Sequence, residues 1–135
     1  METRNYECYV SFEIANLLKE AGFDWKQYSF YNSKGISTNS TFDVNWNDEI
    51  WHIDGSKVSA PTLNITQKWL REVKGLFVCV IPEIKDYHAT WIFYICNEQG
   101  AQGLFYESED CFLTYEEALE SGEKKALKLI LKKGE

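Results

Sequence analysis

Residues 59–96 limit the possible folds of this chain more than any other stretch. They read SAPTLNITQKWLREVKG, then LFVCVIPEI and, after a short polar tip, ATWIFYIC. The first piece predicts a helix capped at Ser59 or Ala60 and ended by Gly75, with Pro61 in the first turn, where its missing N–H does no harm. Leu63, Ile65, Thr66, Trp69, Leu70 and Val73 recur at helical spacing and are expected to form its buried face. The second piece, Leu76–Ile84, is an almost continuous apolar run. Such a run predicts burial on both faces, or a central place in a sheet. Pro82 cannot donate to a ladder, so the strand must lie at an edge or be irregular near its end. Lys85-Asp86-Tyr87-His88 reads as a hairpin loop, and Thr90–Asn97 as the returning strand, with Trp91, Phe93 and Ile95 on one face and Ile92, Tyr94 and Cys96 on the other.

The flanking segments complete an α+β pattern. Ser11 caps a helix over Ser11–Ala21, stopped by Gly22. Trp25, Tyr28, Phe30 and Tyr31 favour a strand over Lys26–Asn32. Ile36–Asp43 reads as a loop or a frayed edge strand, and Glu49–Ile53 as a further strand before the turn Asp54-Gly55-Ser56. Glu98–Gly103 turns, Leu104–Glu107 is a third strand of the C-terminal meander, and Cys111–Leu113 pairs briefly. The last helix starts at Thr114, with Glu117 at capping-box spacing. Its acids crowd the N-terminal part and its lysines the C-terminal part, the arrangement that a helix dipole favours. The expected fold is three helices on an antiparallel sheet of three to five strands, in one domain over residues 1–135, with a C-terminal half ordered helix-strand-strand-strand-helix.

Charge and composition exclude several functions. The 135 residues carry a net charge of −7, which opposes binding to nucleic acid or to anionic membranes. The N-terminal METRNYECYV lacks the apolar core and cleavage site of a signal peptide, and no apolar stretch is long enough to span a bilayer. A cytoplasmic setting is therefore expected, with Cys8, Cys79, Cys96 and Cys111 as reduced thiols. Those cysteines form no C-x-x-C pair, and His52 and His88 stand alone, so neither a metal nor a cofactor is expected. No nucleophile elbow, phosphate loop or dinucleotide fingerprint occurs, which argues against an enzyme.

Three surface features remain as candidate sites. The chain has no Lys or Arg between Lys85 and Lys124. Within that interval Glu107, Glu109 and Asp110 could dock a basic partner or imitate a polyanion, although a solvated acidic turn explains them more simply. At the hairpin tip His88, beside Asp86 and Tyr87, could act as a surface acid or base, although a solvated loop histidine is the simpler reading, and Tyr87 and His88 together could mark an unrecognised site. Among the aromatics Tyr28, Phe30, Tyr31, Phe42, Trp46 and Trp51, core closure is the simpler role, and Trp46, between two asparagines, is the ring expected to be exposed. The order of elements from Ser59 onward matches double-stranded-RNA-binding domains. Those domains place basic residues at the start of the last helix, where this chain has Thr114-Tyr115-Glu116-Glu117, so RNA binding is not expected.

Several segments carry a resemblance: Val10-Ser11-Phe12-Glu13, Leu17 to Phe23, Ser59-Ala60-Pro61-Thr62-Leu63, Lys68 to Val73, and Tyr115-Glu116-Glu117-Ala118-Leu119. In these the chain resembles a family of small proteins of gut Bacteroides genomes and their phages or prophages. The resemblance covers most of the chain and is weakest over residues 35–56 and 107–110. It transfers no catalytic residue. It implies a bacterial or phage cytosolic setting and raises interaction roles over metabolism. The expected function is thus a non-enzymatic accessory protein that binds an unidentified protein partner. The alternatives are a small enzyme with an unrecognised site, or an acidic mimic that blocks a DNA-binding protein.

Overall fold

A computed structural model describes residues 8–133. Residues 1–7, on which the leader reading rests, lie outside the described residues. The chain is α+β, with three helices and two three-stranded antiparallel sheets. Helix α1 spans Phe12–Glu20, with the Ser11 hydroxyl accepting from Ile14 N at 3.2 Å. This cap satisfies one of the four N–H groups that a helix start leaves unpaired. Gly22, at φ +96°, turns the chain out of the helix.

The N-terminal sheet runs β2-β1-β3, with β1 at Gln27–Asn32, β2 at Ser37–Val44 and β3 at Lys57–Ser59. The polar segment that could have been a loop is therefore an edge strand, and its register slips between Gln27 and Ser29 of its partner. The strand expected over Glu49–Ile53 does not form. Asp48 caps a single 3-10 turn over Glu49–Trp51 by accepting from Ile50 N, while Ile50 and Ile53 point into solvent with no partner strand.

Helix α2 spans Leu63–Val73 and starts later than the sequence suggests. Its cap is Thr62, whose hydroxyl accepts from Ile65 N at 3.2 Å. Ser59 and Ala60 are instead taken by β3 and its continuation: Phe30 pairs with Ser59, and Ala60 N donates to Ser29 O. Pro61 thus precedes the cap, and its carbonyl accepts from Val10 N. Leu63, Thr66, Trp69 and Leu70 are buried, but Val73 is exposed because the last turn runs past the core.

The C-terminal sheet is a meander ordered β4-β5-β6. Strand β4 spans Phe77–Lys85, β5 His88–Asn97 and β6 Gly100–Glu107. Asp86 and Tyr87 both have positive φ, so β4 and β5 join through a two-residue turn whose twist suits a hairpin. Strand β5 is central and β4 lies at an edge, as Pro82 requires and contrary to a central β4. Phe112 bridges to Trp91. Helix α3 spans Tyr115–Lys133, with Thr114 Oγ1 accepting from Glu117 N and donating to the Glu117 carboxylate.

One apolar cluster joins these parts, with Ile14 and Leu18 of α1, Trp69 and Leu70 of α2, Val78, Phe93 and Ile95 of the C-terminal sheet, and Leu119 and Leu127 of α3. Gly122 brings α3 close to the sheet. A Cβ there would stand 2.6 Å from Val78 Cγ1 and 3.1 Å from Phe93 Cδ1. Among the described residues no helix is long and apolar enough to cross a membrane.

Candidate docking face

Side chains alternate across a strand, and α3 covers only one face of the C-terminal sheet. The covered face carries Val78, Val80, Phe93, Ile95 and Tyr106, all part of the core or packed against it. Their neighbours point the other way. Register sets Phe77 opposite Cys96, Cys79 opposite Tyr94 and Ile81 opposite Ile92, and then Cys96 opposite Phe105 and Tyr94 opposite Glu107. Phe77, Cys79, Ile81, Ile92, Tyr94, Cys96 and Phe105 therefore share one face. The rings of Tyr94 and Phe105 stack at 6.1 Å on it. Of these side chains, Ile81 is 39% and Phe105 52% exposed, and none packs against the core cluster.

An antiparallel sheet with one solvated face normally alternates apolar-in and polar-out. Here the outward set is nearly as apolar as the inward one. It spans about 14 Å along the strands and about 10 Å across them. Crowding has a chemical consequence at its centre: burial pushes the Cys79 thiol up, the hydrogen bond with Tyr94 draws it partly back, and Cys96 adds to the rise. Tyr94 is raised too, chiefly by the neighbouring Cys79. A thiol held protonated is a weak nucleophile, so the cluster suits packing better than covalent chemistry.

The β4 edge of this sheet is blunted although its face is open. Trp91 N–H and C=O both bond Phe112, and Phe93 C=O accepts from Ser108 N, so these β5 groups point away from β4. Their partners Pro82 and Val80 must then direct their own backbone groups to the free edge. Pro82 offers no N–H there. Farther along, Val78 C=O is already taken by the Gln67 side-chain amide at 2.7 Å. Proline and a side-chain cover are two ways of blunting an edge against strand pairing.

The six residues singled out from sequence do not form one site. Glu107 lies opposite Tyr94, on the open face. His88 pairs with Lys85 at the far end of the hairpin, about 20 Å along the strand from Tyr94. Tyr87 is fully exposed in the turn, and Glu109 and Asp110 are exposed in the loop that follows β6. Trp46 is 5% exposed, which corrects the expectation of an exposed ring. Its Nε1 donates to Gln27 O at 2.7 Å, its N–H goes to Ser59 Oγ, and its ring packs on Phe30 and Trp51. The flanking asparagines anchor it: Asn47 donates to Phe23 O and accepts from Ser59 N. His52 Nε2 bonds Trp46 O, so this histidine is a structural tie.

Two features are not expected from the sequence. A run apolar at both parities points to burial on both faces or to a central strand, and either conceals a half-open face on an edge strand. Glu123 falls within the acidic interval, yet it is fully buried on α3 and neither carboxylate oxygen has a partner. Burial, with a smaller push from Glu120, raises its carboxyl well above the ordinary 4.5. Among the described residues no three His, Cys, Asp or Glu side chains are placed to hold a metal. Comparison with protein-family models, with curated proteins and with solved structures finds no match.

Proposed function

We propose that the chain is a non-enzymatic accessory protein that acts by binding another protein through the open face of its C-terminal sheet. The observation that carries this reading is the three-stranded array of Phe77, Cys79, Ile81, Ile92, Tyr94, Cys96 and Phe105, which packs on no core residue and leaves Ile81 and Phe105 exposed and the rest half-buried. Exposed contiguous apolar surface is costly in water and marks interaction sites. Interface cores are rich in aromatic rings and poor in charge, as this face is. In the bacterial or phage setting that the resemblance implies, such a protein works as a binding factor.

A photo-crosslinking amino acid placed at Ile81 or Phe105, in protein expressed in its host, tests the reading. Both positions are expected to capture the same partner, and the exposed Ile53 of the N-terminal half is expected not to. Equal capture from Ile53, or none from the sheet positions, would refute it.

A further inference from the structure

We infer that the open face takes an amphipathic helix of its partner, with an apolar stripe over the sheet and basic residues along the β6 side. This rests on the docking reading above and names its occupant. The geometry fits a helix. A face about 10 Å wide matches a helix diameter of about 10–12 Å, and about 14 Å of length takes roughly two and a half turns. The covered face of the same sheet already accepts a helix, α3, so a second one would complete a helix-sheet-helix sandwich. An added strand is disfavoured at the β4 edge, which Pro82 and the Gln67 cover interrupt.

Charge selects among the remaining occupants. Glu107 sits on the face opposite Tyr94, and Glu83 sits opposite Thr90 farther along. Glu98, Glu109 and Asp110 occupy the loops around β6, and the chain has no Lys or Arg from residue 86 to 123. The cations nearby are Lys85 at the hairpin tip, Arg71, which flanks Phe77 and Cys79 at the β4 side, 3.8 Å from Glu72, and Lys125 of α3, whose Nζ stands 4.6 Å over the Tyr106 ring on the covered face of β6. On the open face and in the loops around it, the β6 side carries acids alone among these charged residues. A second copy, itself at −7, would bring like charge to it, whereas a basic helix complements it.

The probe is an 18-residue leucine–lysine peptide patterned as an amphipathic helix, titrated into 15N-labelled protein. Its controls are the same composition scrambled, and a leucine–glutamate version. The patterned basic peptide is expected to bind, with shifts confined to β4, β5 and β6. Phe105→Glu is expected to weaken binding about tenfold or more, and Glu107→Lys severalfold. Glu107 is exposed at the end of β6, so its variant keeps the test sound if Phe105→Glu fails to fold. Equal binding of the scrambled or acidic peptide, or shifts elsewhere, would overturn the helix assignment. If the protein alone sediments as a dimer that Phe105→Glu dissociates, the occupant is a second copy. That outcome overturns this inference and leaves the docking face standing. If no peptide binds, the protein is monomeric and the crosslinking positions capture nothing, both readings fall.

Discussion

Replacing Glu123 with glutamine is expected to remove a pH dependence of stability that the wild-type core carries. Glu123 lies on the buried stripe of α3, in helical step with Leu119, Ala126 and Leu127, and both of its oxygens lack partners. Glu120 is the charged neighbour that acts on it, while Lys124 turns away to Glu13 of α1 at 2.9 Å. The folded carboxyl therefore keeps its proton at a pH where the unfolded chain has lost it. Below about pH 4.5 both states hold the proton and the group contributes no slope. Above it the folded state binds more protons than the unfolded, so stability falls as pH rises, until the folded carboxyl itself ionises. The slope in that window is about 1.4 kcal/mol per pH unit, which limits the loss between about pH 5 and pH 7 to about 3 kcal/mol.

Urea unfolding followed by tryptophan fluorescence from pH 4 to 8, for wild type and Glu123→Gln, measures this directly. A buried amide without partners adds a constant offset of about 1–3 kcal/mol, so the sign at one pH decides nothing. The difference between the two curves must change with pH. Glu13 and Asp54 are held below the usual carboxylate range, chiefly by hydrogen bonds to Lys124 and Lys57. Their stabilisation is lost as pH falls, the opposite direction, and it cancels in the difference because both proteins retain them. A flat difference curve would show that Glu123 is ionised in the folded protein, and would refute the assignment of a buried neutral acid. Glu123→Leu should stabilise the protein at neutral pH, since it replaces an unpaired carboxyl with apolar volume.

Gly122→Ala should destabilise by about 1–2 kcal/mol, although alanine is the better helix former by about 1 kcal/mol, because its methyl would meet Val78 and Phe93; adding Val78→Ala should recover part of the loss in the same unfolding assay. Thr62→Ala should cost about 1 kcal/mol by removing the α2 cap, and a urea midpoint unchanged by it would refute the placement of the helix start. Trp46→Phe should cost about 2 kcal/mol or more, because it empties part of a packed site and leaves Gln27 C=O without its donor. With a thiol-specific disulfide reagent near pH 8, the exposed Cys8 and Cys111 should react first and Cys79 last, as burial holds the Cys79 thiol up.

Local signals were legible wherever a single residue type decides a backbone question. Ser11 and Thr114 cap their helices, Gly22 and Gly75 take positive φ, and Pro82 places β4 at an edge. Signals failed where tertiary partners decided between equals. Ser59, Ala60 and Thr62 all precede α2, and β3 pairing with β1 claimed the first two. Residues 49–53 suit a strand by their apolar and aromatic side chains, but they pair with no described strand, and the Asp48 cap winds residues 49–51 into a 3-10 turn. Asparagine neighbours suggest solvent for Trp46, yet Asn47 ties this segment to Phe23 and Ser59. Glu123 was readable from its spacing with Leu119 and Leu127, but its charge class outweighed its position.

The docking face follows from the same kind of conflict. LFVCVIPEI and ATWIFYIC are apolar at both parities, a pattern that suits a sheet covered on both sides. Among the described residues the core is built on one parity: α3 lies over Val78, Val80, Phe93 and Ile95, while Phe77, Cys79, Ile81, Ile92 and Tyr94 stand outside the core cluster, with Arg71 of α2 flanking Phe77 and Cys79. A domain that only had to remain soluble would place threonine, lysine or glutamate on that outer parity, as β5 does at Thr90 and β4 at Glu83 and Lys85 near the hairpin tip. The change from polar to apolar along one strand face, at Ile81 and Ile92, is the boundary of the proposed docking surface. Moving that boundary by Ile81→Lys and Ile92→Thr should leave the core intact, since both side chains stand outside it. Capture by a crosslinker at Phe105 should then be lost, and if it persists, the docking surface lies beyond this face.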